Sequence, residues 1–233
     1  MSSKRYKQAL EARNDGEAVS LRDGINALGK FPRAKFDESV DIALRLGLDP
    51  KHSDQMVRGT VALPNGSGKT VRVVAFAPDG PMADAAKEAG ADYVGMKELI
   101  EKVEGGWTDF DVAVASPEAM KAGVAKLGRV LGPRNLMPTP KAGTVTDDLG
   151  KAVTEVKAGR VEFKVDKSAN LSLQVGKASF DPDKLQENAE AALSAVLKAK
   201  PDSVKGAYLL SASISATMSP SVKLDVKEIL KLG

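Results

Sequence analysis

The chain contains no cysteine and only one histidine, His52. Without thiols there is no disulfide, no zinc–thiolate or iron–sulfur site and no cysteine nucleophile. One imidazole is a poor start for a transition-metal site, and none is expected. A Ser-His-Asp arrangement would have to run through His52, yet the chain has no G-x-S-x-G turn. His52 follows Asp49-Pro50-Lys51 and reads as a solvated turn residue. Aromatic residues make up only 4% of the 233 positions. An RNA-recognition sheet that stacks bases needs neighbouring aromatics in a set pattern, and none occurs. Long apolar runs are missing too: nothing approaches the ~18 residues of a membrane span, and the basic segment up to Lys7 is not followed by the apolar core of a signal peptide. The expectation is a cytosolic protein with no membrane partner, no cofactor and no small-molecule substrate.

What is present fits an ordinary globular protein. Hydrophobic residues are 42% and charged residues 28% of the chain, and the formal net charge is +3. The length suits two domains better than one. A slight basic excess admits an anionic partner without requiring one.

Periodicity divides the chain into three parts. Residues 4–15 and 20–30 repeat apolar positions at helical spacing, with Ser20 and Asp23 forming a partial capping box. Ser39 to Leu46 alternates, with Val40, Ile42, Leu44 and Leu46 on one face, as a half-buried strand should. From about residue 66 the pattern changes. Val71 to Phe76 and Asp111 to Ala115 are continuous apolar strands suited to burial on both faces. Between them lie a helix over 82–89, a short strand over 92–95 and a helix over 96–104, and Pro117 opens another helix after Ser116. This is the alternation of a small parallel α/β domain. After Gly159 alternating strands return: Val161, Phe163 and Val165, then Leu171, Leu173 and Val175, with Asn170 placed to turn the two into a hairpin. A helix starts at Asp181-Pro182 with the stripe Leu185, Ala189, Ala192, Leu193 and Val196, and a final strand runs from Ala207 to Ala216.

The two flanks resemble each other and differ from the middle. The predicted architecture is therefore a split antiparallel α+β domain, residues 1–66 and 159–233, with a Rossmann-like α/β domain, residues 67–158, inserted into it. Gly66, Gly68 and Gly159 mark the two crossings as hinges. The inserted part carries a net charge of −1 and the split domain +4, which places the candidate polyanion-binding surface on the split domain.

Asn65-Gly66-Ser67-Gly68-Lys69-Thr70 invites a phosphate-loop reading and, with it, a nucleotide-binding α/β enzyme over residues 66–70. The pattern does not hold. Leu63 stands where the first glycine belongs, Pro64 removes a backbone donor, and a strand, not a helix, is predicted after Thr70. A glycine-rich crossing explains the segment better. The carboxylate pairs Asp109/Asp111 and Asp147/Asp148 carry no mark beyond that of strand-edge and helix-start acids.

Three segments stand out: Lys35-Phe36-Asp37-Glu38-Ser39-Val40 with Ser53 to Thr60; Leu131-Gly132-Pro133-Arg134-Asn135-Leu136-Met137-Pro138-Thr139-Pro140-Lys141-Ala142-Gly143-Thr144-Val145; and Ser215-Ala216-Thr217-Met218-Ser219-Pro220-Ser221-Val222. Together with Gly176-Lys177-Ala178-Ser179-Phe180 they closely resemble, in order and spacing from about residue 4 to 226, the L-one family of bacterial ribosomal proteins, which form the mobile lateral stalk of the large subunit. The resemblance implies an RNA-binding protein that is not an enzyme, with large-subunit ribosomal RNA, exit-site tRNA and the leader of its own messenger RNA as partners. It implies an RNA surface at Lys35, Phe36, Ser39, Ser211, Thr217 and Met218, to which Ser219 and Lys164 are added here. Hydroxyls at 39, 211 and 217 suit ribose 2′-OH groups, Phe36 suits a base or ribose face, and Lys35 and Lys164 suit phosphates. Core packing is the competing expectation for Phe36 and Met218. Ser219 and Asn135 stand where the family usually has glycine. Arg134 and Lys141 sit in a proline-rich segment expected to be a structural loop with occasional RNA contact.

Overall fold

A computed structural model describes residues 3–13, 17–50, 52–134, 136–204 and 206–232. In chain order the elements are α1 (Lys4–Glu11), α2 (Leu21–Lys30), β1 (Ser39–Leu46), β2 (Arg58–Ala62), β3 (Val73–Phe76), α3 (Pro81–Glu88), β4 (Tyr93–Gly95), α4 (Lys97–Glu104), β5 (Val112–Ala115), α5 (Pro117–Ala122), α6 (Gly128–Leu131), α7 (Leu149–Lys157), β6 (Arg160–Lys164), β7 (Asn170–Lys177), α8 (Pro182–Lys198), β8 (Leu209–Ala216), β9 (Val222–Leu224) and α9 (Val226–Ile229). The chain divides into two compact units, Met1–Gly68 with Val161–Gly233, and Lys69–Arg160. These are a split α+β unit and an inserted α/β unit.

In the split unit, a four-stranded antiparallel sheet has the order β7-β1-β8-β9. Its centre is β1, whose Val40, Ile42, Leu44 and Leu46 are all buried. They meet the stripe of α8, where Leu185, Ala189, Ala192, Leu193 and Val196 are buried in the same core. Burying a Leu or Ile side chain contributes roughly 1.5–3 kcal/mol, so this layer dominates the unit's stability. On α2, the Ser20 hydroxyl accepts the Asp23 N–H at 3.1 Å and donates to the Asp23 carboxylate at 2.7 Å. One face of the sheet is thus covered by helices and the other is left open.

Several sequence expectations need correction. The expected β6–β7 hairpin does not form. β6 pairs with β2 in a separate two-stranded sheet, while β7 joins β1. The chain still turns between them, but Asp166 makes the turn: its Oδ1 accepts the N–H groups of Ser168 (2.7 Å) and Asn170 (2.8 Å). These bonds, that of Asn170 foremost, hold the Asp166 carboxyl below its usual range. Ala169 takes the left-handed conformation at φ 61°. The strand expected to be the last, from Ala207, starts at Leu209 and is followed by β9; the Tyr208 carbonyl just before it accepts the Gly47 N–H at 2.8 Å. The first helix ends at Glu11, with residues 14 and 15 of its expected span outside the described residues.

In the inserted unit, the parallel sheet has the order β4-β3-β5. Every residue of β3 is fully buried, which is why its sequence is a continuous apolar run. One layer packs Val73 and Ala75 against Ala83, Ala86, Leu149 and Val153. The other packs Val74 and Phe76 against Leu99, Val103, Ala119 and Leu127. The Ser116 hydroxyl, fully buried, caps α5 by accepting the Ala119 N–H at 3.1 Å.

Residues 67 and 68 belong to the split unit, and 159 and 160 to the inserted one, two residues away from the expected borders. Packing explains both shifts. A Cβ on Gly68 would meet Lys177 Cγ at 2.8 Å and the Phe180 ring at 2.9 Å. Arg160 donates to Glu155 at 2.6 Å and lies over Gly143.

Candidate nucleic-acid interface

Strand alternation that buries Val40, Ile42 and Leu44 turns Ser39, Asp41, Ala43 and Arg45 to the open face. The register sets their neighbours. Arg45 lies between Asn170 and Ser211; Ala43 between Ser172 and Ser213, with Lys223 beyond; Asp41 between Gln174 and Ser215. Ser39 is opposite Lys177 and its carbonyl accepts the Thr217 N–H at 3.0 Å. The open face is therefore a column of hydroxyls on β8, Ser211-Ser213-Ser215, continued by Thr217. Cations and amides flank it. Residues of the column are about 7 Å apart along the strand, so it extends about 20 Å.

Asp41 is the anionic exception. Partial burial pushes its carboxyl up, and Lys177 nearby opposes that shift. The Lys177 ammonium donates to the Ser39 hydroxyl at 3.0 Å, leaving the oxygen's own proton for a further acceptor.

The column ends in two exposed apolar side chains. Phe36 is 54% and Met218 51% exposed, so both are outside the core. Lys35 is exposed beside Phe36. Thr217 joins this end to β1: its Oγ1 accepts the Ser39 N–H at 3.0 Å and lies 3.3 Å from the Ser39 carbonyl oxygen.

Other expected site residues lie elsewhere. Lys164 is exposed on β6, in the two-stranded sheet, and not on this face. The Ser219 hydroxyl is turned inward. It accepts the Ala216 N–H at 2.9 Å and lies within 3.2 Å of the Ala216 carbonyl. Ser219 also needs no left-handed backbone; among the described residues Ala169 is the non-glycine with positive φ. Ser219 thus closes the β8–β9 turn and has little left to offer a ligand. Ser211 marks the far end of the hydroxyl column.

The glycines at the crossings have local work. Gly66 (φ 70°), Gly68 (φ 69°) and Gly159 (φ 106°) all adopt conformations that favour glycine. Asn188, fully buried on α8, donates to the carbonyls of Gly66 (2.9 Å) and Val175 (2.8 Å) and accepts the Asn65 N–H at 2.9 Å. The loop is thereby pinned, and these contacts lend no support to a hinge role for Gly66 and Gly68. Lys69 donates to Asp111 at 2.5 Å, which, first among the causes, holds the Asp111 carboxyl below its usual range. Arg72 binds both Asp109 and Asp111. These carboxylates are ion-pair partners within the inserted unit. Asp148 caps α7, accepting the Lys151 N–H at 3.0 Å. His52 is exposed, 4.0 Å from Asp49. Among the described residues no cluster of acids and histidine has the makings of a metal site.

The proline-rich segment is built into the inserted unit. Leu136 and Met137 pack on its core. The Thr144 hydroxyl accepts the Thr139 N–H at 2.9 Å, and Val145 bridges Ala115 alongside β5. Arg134 bonds the Thr108 hydroxyl. Asn135 and the side chain of Lys141 lie outside the described residues.

The sequence pointed to two residues of the hydroxyl column, Ser211 and Thr217, but not to Ser213, Ser215 or Lys177. The alternate serines of β8 were a readable period-two signal. Nor did the sequence point to Glu38 and Arg5, whose pairing joins residues far apart in the chain.

Known proteins resemble this chain over nearly its whole length. Residues 28–220 match the Ribosomal protein L1p/L10e family. The chain is 53% identical over 226 residues to the large ribosomal subunit protein uL1 of Protochlamydia amoebophila, covering 97% of this chain and 95% of that one. It is 50% identical over 227 residues to the uL1 protein of Chlamydia caviae, covering 97% of each. It is also 50% identical over 224 residues to that of Corynebacterium glutamicum, covering 96% and 94%.

Proposed function

The chain belongs to the ribosomal protein L1p/L10e family, and from that premise we propose that it is a structural constituent of the large ribosomal subunit which binds large-subunit ribosomal RNA through the open face of the β7-β1-β8-β9 sheet. One observation carries the assignment of the face. The hydroxyls of Ser211, Ser213, Ser215 and Thr217 form a single column that ends at exposed Phe36 and Met218. Hydroxyls both donate and accept, as ribose 2′-OH groups require, and cations beside them suit phosphates. Phe36 and Met218 are apolar surface that a ribose or base covers.

On this reading the protein works on the ribosome in the cytoplasm, as part of the lateral stalk. It assists release of deacylated tRNA from the exit site and represses translation of its own messenger. The support for these finer roles is family membership. The competing reading, a nucleotide-binding enzyme over residues 66–70, has no observation in its favour: the segment leads into β3, and Asn188 holds its backbone groups.

Filter binding to a stalk fragment of large-subunit ribosomal RNA, across a salt series, tests the proposal. The logarithm of the affinity should fall linearly with the logarithm of salt concentration, with a slope set by the phosphates neutralised. Absent or salt-independent binding overturns it.

A further inference from the structure

Glu38 is a charged residue only 3% exposed, two residues along the chain from Phe36 and bonded to the backbone of Met218. Its carboxylate oxygens are divided between two loops. Oε1 accepts the Ala34 N–H at 2.6 Å, and Oε2 accepts the Met218 N–H at 2.9 Å. Its carbonyl accepts the Ala178 N–H at 2.7 Å. Next to it, Asp37 accepts the N–H and hydroxyl of Ser179 at 3.1 and 2.8 Å. Arg5, on α1, completes the arrangement. One guanidinium nitrogen lies 3.4 Å from Glu38 Oε1 and 3.5 Å from the Pro32 carbonyl, and the other lies 3.3 Å from the Met218 carbonyl.

We propose that Glu38 and Arg5 are positioning residues for RNA binding: a half-buried ion pair that fixes Phe36 and Met218 at the spacing the RNA requires, without touching RNA itself. The inference rests on the RNA-binding reading above. Several features favour it over simple structural support. The pair spans the 32–36 loop and the β8–β9 turn, the two segments that present Phe36 and Met218. It holds the backbone of Met218 from both its N–H and its carbonyl. A buried carboxylate bonded to backbone N–H groups makes stronger, more directional bonds than neutral acceptors do. Glu38 also lines a cavity with the core residues Ile25, Val40 and Leu185, so a loss of binding counts only in variants that stay folded.

Substitution at these two positions separates positioning from contact. Glu38→Gln keeps the shape but turns an N–H₂ towards one of the two backbone N–H groups. Arg5→Ala removes the second half of the clamp, and Arg5→Lys keeps the charge with fewer donors. Binding of the full-length chain to the stalk RNA fragment is measured over the salt series, with circular dichroism as the check on folding. The expected result is that Glu38→Gln and Arg5→Ala each bind tenfold or more weakly while the slope against salt matches the wild type, because no phosphate contact is lost. Arg5→Lys should regain part of the affinity. Unchanged affinity in folded variants overturns the clamp, as does a slope reduced by about one phosphate in Arg5→Ala, which would make Arg5 a direct contact. If Glu38→Gln does not fold, the Arg5 variants decide. A wild-type chain that fails to bind at all sinks the RNA reading, and the clamp with it; a wild type that binds beside unaffected variants sinks the clamp alone.

Discussion

Thr217 has two tasks, and substitution should separate them. Its hydroxyl ties the β8–β9 turn to Ser39 and is exposed at the end of the hydroxyl column. Thr217→Ala removes a backbone-to-hydroxyl bond, which costs about 1 kcal/mol of stability. RNA affinity should fall about tenfold, with the fold intact by circular dichroism. Met218→Ala should lower RNA affinity several-fold and leave the urea midpoint unchanged, since half of that side chain is already in solvent. Global unfolding of either variant would return Met218 and Thr217 to a structural role. Asn188 is the opposite case. It is fully buried and satisfies three backbone groups. Asn188→Leu leaves those groups unpaired and should cost about 3 kcal/mol or more, read as a lower urea midpoint. A midpoint within experimental error of the wild type would show that the 65–68 loop does not depend on that side chain. Here the sequence was informative about residue type but not about surroundings. A solvent-side methionine and a buried asparagine both run against ordinary preference, and only the fold decides such exceptions.

At the scale of elements, alternation was read correctly where a strand has one buried face, as in β1, and continuous apolarity where it has two, as in β3. Alternation specifies a face, though, and not a partner. That is why β6 and β7, each well patterned, were joined into a hairpin that the structure replaces with two different sheets. β2, β9 and α7 were not read at all; β9 is three residues long, too short for a period to register. The hydroxyl column of the candidate interface was legible in part for a related reason: its cross-strand neighbours come from distant segments. The α8–β8 junction offers a test of packing. The Tyr208 hydroxyl donates to the Val196 carbonyl at 3.1 Å, and burial pushes its pKa up to about 12 from 10.0. The folded state therefore holds this proton to higher pH than the unfolded chain does. Its contribution is fully present below pH 10 and is lost as pH rises through about 12. Wild type should lose on the order of 2 kcal/mol more than Tyr208→Phe over that interval, measured by urea unfolding at successive pH values. Parallel losses in the two proteins would mean that the phenol is not buried in the folded state.

For the whole molecule, the two units have separate hydrophobic cores. The residues assigned to RNA all belong to the split unit. Replacing residues 69–160 with a short glycine–serine linker should give a chain that folds and keeps its affinity for the stalk RNA fragment within about threefold, on the ground that a domain with its own core folds alone. An affinity lower by a hundredfold would show that the inserted unit carries part of the interface.

The order of pairing in the central sheet bears on how the chain is made. β1 has β7 on one side and β8 on the other, and both are encoded more than a hundred residues later. During synthesis β1 emerges with no neighbour and waits on the order of ten seconds for the first to be translated. The inserted α/β unit, whose contacts are closer in sequence, meets no such delay and acquires its structure first. A ribosome making this protein therefore carries a finished middle and an unfinished beginning. Until the last strands appear, the apolar side of β1 must be shielded from other chains by something other than its own sheet.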